Sequence, residues 1–554
     1  MIAGADRLVA GRVAELRLPG SRPLTTADEL DVDVTGPDGA TRRFPAFRVD
    51  AATWAIRFLP ESPGPHAYRA HLSGALFFRS GEGEGQVEVE DAPGTGGADR
   101  MPLPVSVEQG SQRFVDAAGE PFLWLGDTWW YALSDRISDA QLARLARKRV
   151  AEGFTVVQLV AGLYPEIPPL DAARGRSGGR LPWDDTWTDL DLGFFEHMDR
   201  RLGIILRAGL VPSIFGAWGY YLSTTGISVM KRHWRELVAR YAAYPVTWSV
   251  AGEATLPWYD LLFKPESKPV EAELAAGWLE IARYVRRIDP YRRPLSAHPS
   301  PGTLAWSTTD MFDDPGVIDH VMLQTGHWER ANYKVSLDTL HRELEREPRR
   351  PVLNTEVCYE GIAGSNWPDA QRFLFWTHML SGAAGHTYGA QGLWAMNDGT
   401  YVGRMGRWGS ATWREASELP GAVHVGAGGL WLRERPWASL RYTPGIVEPH
   451  ASEGDRIGPH AATLGDGRRV IYFPIPALVE GDVAAGFKYA LIRLLELPAD
   501  GEVRLDWYDP RSFELFESAI ARADAHGVVE IRGTEICALP SMEDWVLEAT
   551  SLRR

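Results

Sequence analysis

The 554-residue sequence contains only two cysteines, no long apolar run and no excess of basic charge. Cys358 and Cys537 lie far apart, so neither a disulfide framework nor a cysteine-based zinc site is expected. No stretch approaches the length of a membrane span, and the N-terminus lacks a basic segment followed by an apolar core. These absences predict a soluble, cytoplasmic protein that does not contact a membrane.

The formal net charge of −15 argues against a nucleic-acid partner, which would call for clustered Lys and Arg. Three motifs are also missing: a Gly-x-Gly-x-x-Gly at the first strand–helix turn, a Gly-x-Ser-x-Gly elbow at a strand end, and a His-x-His on the first barrel strand. Their absence argues against nucleotide-binding, serine hydrolase and metal-dependent chemistry respectively. We expect no cofactor and no metal, and a small neutral or polar substrate; homo-oligomerisation is left open.

Tryptophan is unusually frequent, with 22 residues. Indole faces stack on the C–H faces of sugar rings, but they also fill protein cores. The count therefore suggests a carbohydrate site without locating one, and position has to decide between the two roles.

The hydrophobic pattern divides the chain into three expected domains. Residues 1–95 consist of short alternating runs between turn residues, which predicts an N-terminal β-sandwich that either binds carbohydrate or only packs on the main body. A Gly- and Pro-rich linker is expected at residues 93–104. Residues 96–428 alternate between strand and helix patterns, and alternation returns in residues 429–554, which predicts a C-terminal β-sandwich.

The middle region predicts eight strand–helix units. The expected strands are residues 121–126, 154–160, 210–215, 246–253, 293–298, 317–324, 352–356 and 386–391. The first helix should begin at the capping box Ser138–Gln141. Eight such units are typical of a (β/α)₈ TIM barrel, whose active site lies at the C-terminal ends of the strands. A doubly wound sheet is the competing fold.

Two of these strands are predicted to end on a glutamate. Strand seven leads through Asn354 and Thr355 to Glu356, and strand four leads through Ala251 and Gly252 to Glu253. A retaining glycosidase needs one carboxylic acid and one carboxylate about 5 to 5.5 Å apart. We therefore expect Glu253 to act as acid/base, with a raised pKa, and Glu356 as nucleophile. The alternative is that both form structural ion pairs at strand ends.

The remaining strand ends carry polar and aromatic side chains that could hold a sugar. These candidate substrate-binding residues are Asp127, Trp129, Trp130, Gln158, Trp218, His298, Gln324, His327, Trp328, Tyr388 and Gln391. Asp127 is the best candidate for binding a diol. Alternatively, Trp129 and Trp218 pack loops, and His298 and His327 bind a metal. Cys358 is expected to be a small buried hydrophobe.

Several motifs resemble the apiosidase-like glycoside hydrolases. They are residues 119–130 at the opening strand, residues 391–394, 413–416 and 420–422, and the Asn-Thr-Glu of strand seven; residues 54–60 and 507–511 resemble the flanking immunoglobulin-like and C-terminal β domains. The resemblance implies a barrel with acidic catalytic residues on strands four and seven and an activity that releases apiose from pectin side chains. The strand-four acid of related sequences is often an aspartate, where this chain has Glu253.

The leading functional hypothesis is a retaining exo-acting glycoside hydrolase. It would release a terminal furanose-type sugar, apiose or arabinofuranose-like, from oligosaccharides or plant glycosides. One alternative is an exo-glycosidase acting on a pyranoside such as a galactoside or xyloside. Another is a barrel that binds carbohydrate without cleaving it.

Overall fold

The computed structural model describes residues 8–19, 28–72, 83–91, 101–165, 176–258, 261, 264–301, 305–400, 408–475, 489–533 and 537–552. It contains an eight-stranded parallel sheet between antiparallel sheets at the two ends of the chain. The predicted fold class, a TIM barrel with flanking β domains, is confirmed. Most of the predicted linker at residues 93–104 lies outside the described residues.

The N-terminal domain consists of two sheets that are antiparallel except for the parallel pair β1 and β8. Its strands are β1 Leu8–Val9, β2 Ala14–Pro19, β3 Leu30–Thr35, β4 Thr41–Pro45, β5 Phe47–Arg48, β6 Thr53–Phe58, β7 Gly64–Leu72 and β8 Glu84–Glu90. One sheet has the order β1-β8-β7-β3-β4 and the other the order β2-β6-β5. Along β3, Leu30, Val32 and Val34 are buried while the residues between them are not, as expected for a strand with one face against a core.

A small sheet closes the N-terminal end of the barrel. It comprises β9 Val105–Val107, β10 Phe114–Asp116 and β11 Pro121–Phe122. Val105 and Phe114 form one apolar cluster with residues at the starts of barrel strands, including Trp124, Val156 and Val211. With that end filled, the opposite end, where the strands finish, is left for a site.

The barrel strands are β12 Trp124–Thr128, β13 Val156–Val160, β14 Val211–Phe215, β15 Thr247–Ser249, β16 Leu295–Ser296, β17 Val321–Gly326, β18 Val352–Val357 and β19 Gly385–Tyr388. Their order is β16-β15-β14-β13-β12-β19-β18-β17, a nearly closed parallel barrel. The helices of this region are α1 Asp139–Ala151, α2 Leu192–Ala208, α3 Tyr221–Tyr241, α4 Ser267–Ile288, α5 Thr308–Met311, α6 Glu329–Glu345, α7 Pro368–Ser381, α8 Trp413–Ala416 and α9 Pro420–Arg433. Short 3₁₀ turns occupy Pro315–Val317, Ile362–Gly364, Trp437–Ser439 and Pro444–Ile446.

The observed strand bounds differ from the expected ones where only a few residues pair with the neighbouring strand. Strand four ends at Ser249, so Glu253 lies beyond it, and strand six begins at Val321 because Pro315–Val317 is a 3₁₀ turn. The capping box at Ser138 is present: its side chain accepts from the Gln141 N–H, and the Gln141 side chain accepts from the Ser138 N–H. Local helix-start signals were thus more reliable than strand ends, which depend on neighbouring strands.

The C-terminal domain again pairs two antiparallel sheets. Its strands are β20 Arg441–Tyr442, β21 Val447–Glu448, β22 His460–Thr463, β23 Arg469–Phe473, β24 Leu491–Leu494, β25 Glu502–Tyr508, β26 Leu515–Arg522, β27 Val529–Arg532 and β28 Trp545–Ser551. The sheets have the orders β20-β22-β23-β28-β25-β26 and β21-β24-β27. The boundary expected between residues 428 and 429 falls inside helix α9, which continues to Arg433.

A part-buried and a buried ion pair attach the two β domains to the barrel. Arg57 of β6 donates to Asp199 of α2 at 2.6 Å. On the other side, Arg372 of α7 forms a two-pronged pair with Asp544, at 2.7 and 2.8 Å, and Tyr472 donates to the same carboxylate. None of the described helices combines the length and the apolar character that a membrane span requires.

Candidate active site

Glu253 lies at the C-terminal end of the fourth barrel strand, in a backbone segment that continues past β15. The His298 N–H donates to Ala251 O at 3.1 Å and the Ala254 N–H donates to His298 O at 2.8 Å, so strands four and five stay paired on both sides of Glu253. Glu253 itself has φ +44°, in the left-handed region that a non-glycine residue rarely adopts. Such strain is tolerated where the surrounding structure holds a side chain in a required direction.

Two side chains hold the Glu253 carboxylate. Trp218 Nε1–H donates to Oε2 at 3.2 Å, and Gln324 Nε2–H donates to Oε1 at 2.8 Å. The glycine before Glu253 makes the first contact possible, since a Cβ on Gly252 would lie 2.3 Å from the Trp218 ring. A glycine is therefore required at position 252, where the indole packs against the strand end.

Glu356 lies in β18, with its backbone fixed by a buried amide. The Glu356 N–H donates to Asn354 Oδ1 at 3.2 Å. The same Asn354 side chain donates through Nδ2 to Thr325 Oγ1 at 2.8 Å and to Ser336 Oγ at 2.9 Å. Because all three partners are engaged, the orientation of the amide is determined, and with it the acceptor that the Glu356 peptide uses.

His327 donates a hydrogen bond to the Glu356 carboxylate. Its Nε2 lies 3.0 Å from Glu356 Oε1, and its Nδ1 accepts from the Tyr359 N–H at 3.2 Å. A nitrogen that accepts a hydrogen bond carries no proton, so the proton of His327 is on Nε2. His327 therefore serves as a neutral donor to Glu356.

His298 connects the two glutamates. The Glu253 N–H points to its Nδ1 at 3.4 Å, and its Nε2 lies 3.7 Å from Glu356 Oε2. Burial lowers the pKa of His298 to about 4, so the ring is neutral near pH 7. Within the described residues, neither His298 Nε2 nor Glu356 Oε2 meets the geometric criteria for a hydrogen bond, although the Tyr359 hydroxyl lies near the Glu356 carboxylate and lowers its pKa. Two buried polar atoms that face the same space and lack partners are the expected feature of a ligand site.

The surroundings of Glu356 favour its ionised form. Burial by itself would raise the pKa of Glu356, but the hydrogen bond from His327 holds that pKa below the ordinary glutamate value. A carboxylate that stays ionised while buried is suited to act as a nucleophile.

Gln324 places the two glutamates at one edge of the barrel. Its side chain bonds to Glu253, and its backbone pairs in register with Glu356 across β17 and β18. The structure thus brings the two glutamates together with five of the predicted binding residues: Trp130, Trp218, His298, Gln324 and His327.

An aromatic wall lines this part of the site. The Trp130 ring lies 5.5 Å from that of Trp218, 4.7 Å from Phe215 and 5.9 Å from His298, all in edge-to-face contacts. These rings are buried, whereas Trp328, next to His327, is 63% exposed. Through Trp218, whose N–H reaches Glu253, this wall packs directly beside that carboxylate.

The structure contradicts the expected role of Asp127. Its side chain is fully buried, and Oδ2 accepts from Trp129 Nε1 at 2.8 Å and from Arg149 Nε at 2.7 Å. The carboxylate is already engaged by a cation and an indole, so it holds helix α1 against strand one and is not placed to bind a diol. Trp129 belongs to the same buried cluster, as in the alternative interpretation of loop packing.

Gln158 and Gln391 are also held by protein groups. Gln158 Nε2 donates to Thr355 O at 3.0 Å across the barrel interior. Gln391 Nε2 donates to Gly409 O at 3.0 Å, and its Oε1 accepts from Trp394 Nε1 at 3.2 Å. Both side chains are buried and connect barrel elements; both polar atoms of Gln391 are engaged, so its expected contacts with sugar hydroxyls are not supported, whereas Gln158 Oε1 has no hydrogen-bond partner among the described residues.

Tyr388 donates to a buried carboxyl group that sequence reasoning missed. Its hydroxyl lies 2.5 Å from Glu360 Oε2, and Glu360 Oε1 accepts from the Gly421 N–H at 3.1 Å. Burial raises the pKa of Glu360 to about 7. This carboxyl group caps the N-terminus of α9, where a helix favours negative charge.

Two further residues at the site, Phe215 and Tyr359, were not predicted. Phe215 is the last residue of β14, and in the sequence it looks like any other apolar core residue. Tyr359 lies three residues after Glu356, beyond the predicted strand end, where no periodic pattern applied. Among the described residues, no group of three or more His, Cys, Asp or Glu side chains is arranged to hold a metal ion.

Comparison with solved structures shows the same fold in glycoside hydrolases. A protein described as a glycoside hydrolase matches 81% of this chain and 98% of its own length, with 17% identity and a TM-score of 0.63. A glycoside hydrolase family 5 protein from Bacteroides vulgatus matches 81% of this chain and 94% of its own, with 18% identity and a TM-score of 0.63. A second Bacteroides vulgatus protein matches 99% of this chain and 100% of its own, with 18% identity and a TM-score of 0.67.

At 17 to 18% identity these solved structures show a shared fold only. The family assignment rests instead on the match of this sequence to a family model. No curated protein matched the sequence. The sequence model of the apiosidase-like catalytic domain matches residues 108–439, which is more than half of the chain and includes both strand-end glutamates. The protein therefore belongs to the apiosidase-like family of glycoside hydrolases.

Proposed function

We propose that the protein is a retaining, exo-acting glycoside hydrolase in which Glu253 is the acid/base and Glu356 the nucleophile. The observation that carries this proposal is the position of His298 between the two, with Nδ1 3.4 Å from the Glu253 nitrogen and Nε2 3.7 Å from Glu356 Oε2. One imidazole that contacts the Glu253 backbone and the Glu356 carboxylate supports the action of both residues at one site, where a retaining enzyme needs its carboxylates about 5 to 5.5 Å apart.

In the first step, Glu356 attacks the anomeric carbon while Glu253 gives its proton to the leaving oxygen. The C–O bond to the leaving group breaks, and an ester forms between the sugar and Glu356. The unpartnered Oε2 is the oxygen best placed to attack, because Oε1 is already bonded to His327.

In the second step, Glu253 acts as a base. It takes a proton from water, whose oxygen attacks the anomeric carbon and displaces Glu356. Trp218 and Gln324 each donate to the Glu253 carboxylate, so they stabilise its ionised form between the steps. The cycle consumes one water and returns both glutamates to their starting states.

We propose a terminal furanose-type sugar, apiose or arabinofuranose-like, as the group released. This choice rests on the family, whose description is apiosidase-like. The buried wall of Trp130, Trp218 and Phe215 supports a pocket that encloses one ring and presents apolar faces to it.

The test is hydrolysis of a panel of aryl furanosides and pyranosides by wild type and by Glu356→Gln, Glu253→Gln and Glu271→Gln. Glu271 is a buried glutamate of α4 that bonds to Ser267 and serves as the matched control. We expect Glu356→Gln to lose turnover and Glu271→Gln to retain it. Glu253→Gln should lose about 10²- to 10⁴-fold on substrates with poor leaving groups and less on activated ones.

The anomeric configuration of the first product, followed by NMR, tests retention. An inverted product would refute the covalent mechanism, and unchanged turnover by Glu356→Gln would refute the nucleophile. Sugar binding without hydrolysis of any glycoside would favour the carbohydrate-binding alternative. Turnover confined to pyranosides would replace the proposed sugar and keep the chemistry.

A further inference from the structure

Two tryptophans are exposed, and both lie beside the Glu356 strand end. All 22 tryptophans belong to the described part of the chain, and only Trp328 and Trp367, at 63% and 47%, are classed as exposed. Trp328 immediately precedes α6 and Trp367 immediately precedes α7, the helices that follow barrel strands six and seven. Both indoles therefore lie at the open end of the barrel, where the strands finish.

A third indole joins them. The Trp408 ring lies 6.1 Å from that of Trp328, and the Trp408 carbonyl accepts from the Ala363 N–H. Trp367 packs over Gly361, where a Cβ would lie 3.6 Å from the indole ring. Trp367 and Trp408 thus both contact the 361–365 turn that follows Glu356, and Trp328 packs against Trp408. We refer to Trp328, Trp367 and Trp408 as the outer platform.

Hydrogen bonds connect the outer platform to the catalytic glutamate. His327, which donates to Glu356, directly precedes Trp328 in the chain. Asn366 Nδ2 donates to the His327 carbonyl at 2.7 Å, and Asn366 directly precedes Trp367. The Asn366 N–H in turn donates to the Glu329 carboxylate at 3.1 Å. The backbone that carries the exposed rings is therefore held in a fixed position relative to Glu356.

Exposure of adjacent indoles is unfavourable unless a ligand covers them. Apolar surface prefers to leave water, and exposed apolar groups that lie together mark binding sites more often than isolated ones do. The flat neutral face of an indole is complementary to the C–H face of a sugar and to an aromatic ring, which share a flat apolar surface.

We propose that the outer platform is the leaving-group subsite, and that it selects substrates whose leaving group begins with a ring. This inference rests on the proposed function: an exo-acting enzyme encloses the terminal sugar, so whatever protrudes from the pocket belongs to the leaving group. In this proposal the buried wall of Trp130 and Trp218 contacts the reacting sugar, and the outer platform contacts the leaving group.

The experiment compares three glycosides of the sugar that wild type accepts, with methyl, benzyl and second-sugar leaving groups. Methanol and benzyl alcohol are similar in acidity, so the first two differ mainly in the ring. Each is assayed with wild type, Trp328→Ala, Trp367→Ala, Trp328→Phe and the control Phe516→Ala, whose exposed ring lies far away on β26. The same ligands are titrated calorimetrically into Glu356→Gln with and without Trp328→Ala.

We expect wild type to prefer ring leaving groups over methyl by about tenfold in kcat/KM, mainly through KM. Each alanine variant should reduce this preference, Trp328→Phe should retain most of it, and Phe516→Ala should leave it unchanged. Preference for benzyl alone would identify an aromatic leaving group, and preference for the second sugar alone an oligosaccharide.

Equal kcat/KM values for methyl and ring glycosides in an active wild type would refute the proposed leaving-group subsite but not the proposed function. If no glycoside is hydrolysed, the proposed function fails and calorimetry decides about the outer platform. Weaker binding of ring ligands after Trp328→Ala would then support a ring-binding surface, and unchanged binding would refute it.

Discussion

We predict that the hydroxyl of Ser336, a buried residue behind Glu356 that does not contact substrate, is needed for full kcat. Ser336 Oγ of α6 accepts from Asn354 Nδ2 at 2.9 Å and lies 2.8 Å from His378 Nε2. His378 Nδ1 in turn lies within hydrogen-bond distance, 3.2 Å, of His386 Nδ1. Asn354 Oδ1 in turn accepts from the Glu356 N–H, so two hydrogen bonds through Asn354 connect Ser336 to the Glu356 backbone. The perturbation is Ser336→Ala.

The chain offers a matched control in Ser381→Ala. Ser381 Oγ lies 3.2 Å from His341 Nε2, again a buried serine–histidine pair on a barrel helix. Each substitution leaves one buried imidazole nitrogen without its partner, which costs about 1 to 3 kcal/mol of stability. We expect both variants to unfold at lower temperature, and Ser336→Ala at the lower of the two, because it also loses the hydrogen bond from Asn354.

Only Ser336→Ala should reduce kcat. With the hydroxyl gone, Asn354 keeps a single side-chain acceptor, Thr325, and the amide that holds the Glu356 peptide is free to tilt. A displacement of about 1 Å at a reacting group can cost roughly 100-fold in rate, so we expect kcat to fall by about 10- to 100-fold. KM should change little, because Ser336 touches neither the aromatic wall nor the outer platform.

The assay combines thermal unfolding with kcat and KM on the best substrate of the panel, at a temperature where both variants are folded. Ser336→Thr, which keeps a hydroxyl, should recover most of the lost kcat. Equal kcat in Ser336→Ala and wild type would refute the positioning argument. A fall in kcat of the same size in Ser381→Ala would assign the effect to general destabilisation.

Three further substitutions test other contacts of the site and its surroundings. Gly252→Ala should lower kcat by displacing the Trp218 indole, since the new Cβ would lie 2.3 Å from that ring; kinetics and tryptophan fluorescence measure this. His327→Phe should move the acidic limb of the kcat/KM–pH profile upward, because burial then raises the pKa of Glu356 without the opposing hydrogen bond. Arg372→Met should destabilise the protein by about 3 to 5 kcal/mol by leaving a buried carboxylate unpaired, as measured by denaturant unfolding.

Each of these has a control. Gly454→Ala, where a Cβ meets nothing within 4 Å, should be neutral, and a similar loss there would contradict the packing argument. The proposed mechanism requires ionised Glu356, so activity is expected above the folded-state pKa of Glu356 and lost below it. An acidic limb that moves to lower pH in His327→Phe would therefore refute the expected direction of the pKa change. Adding Asp544→Asn to Arg372→Met should recover part of the stability, and no recovery would show that packing, not charge, dominates the pair.

The sequence by itself determined the architecture, because periodicity is a local property. Strand and helix patterns repeat along the chain, and a capping box such as Ser138–Gln141 forms from residues three apart. It also indicated Glu253 and Glu356, because polar residues that follow a buried run at a strand end must lie at the rim of a parallel barrel.

Only the tertiary structure decided which polar and aromatic residues remain available to a ligand. Asp127 and Glu356 look alike in sequence, each a carboxylate at a strand end. Arg149, 22 residues further on, engages the first, whereas His327, 29 residues earlier, orients the second and leaves one oxygen free of protein partners among the described residues. Partners of this kind come from other strands and helices, and no local pattern encodes them.

The same holds for tryptophan, whose abundance suggested a sugar site without locating it. Trp234, Trp248 and Trp278 are fully buried in the core, while Trp328 and Trp367 are exposed at the rim. Side chains of one type acquire opposite roles because burial is set by what packs against them after the chain closes into a barrel.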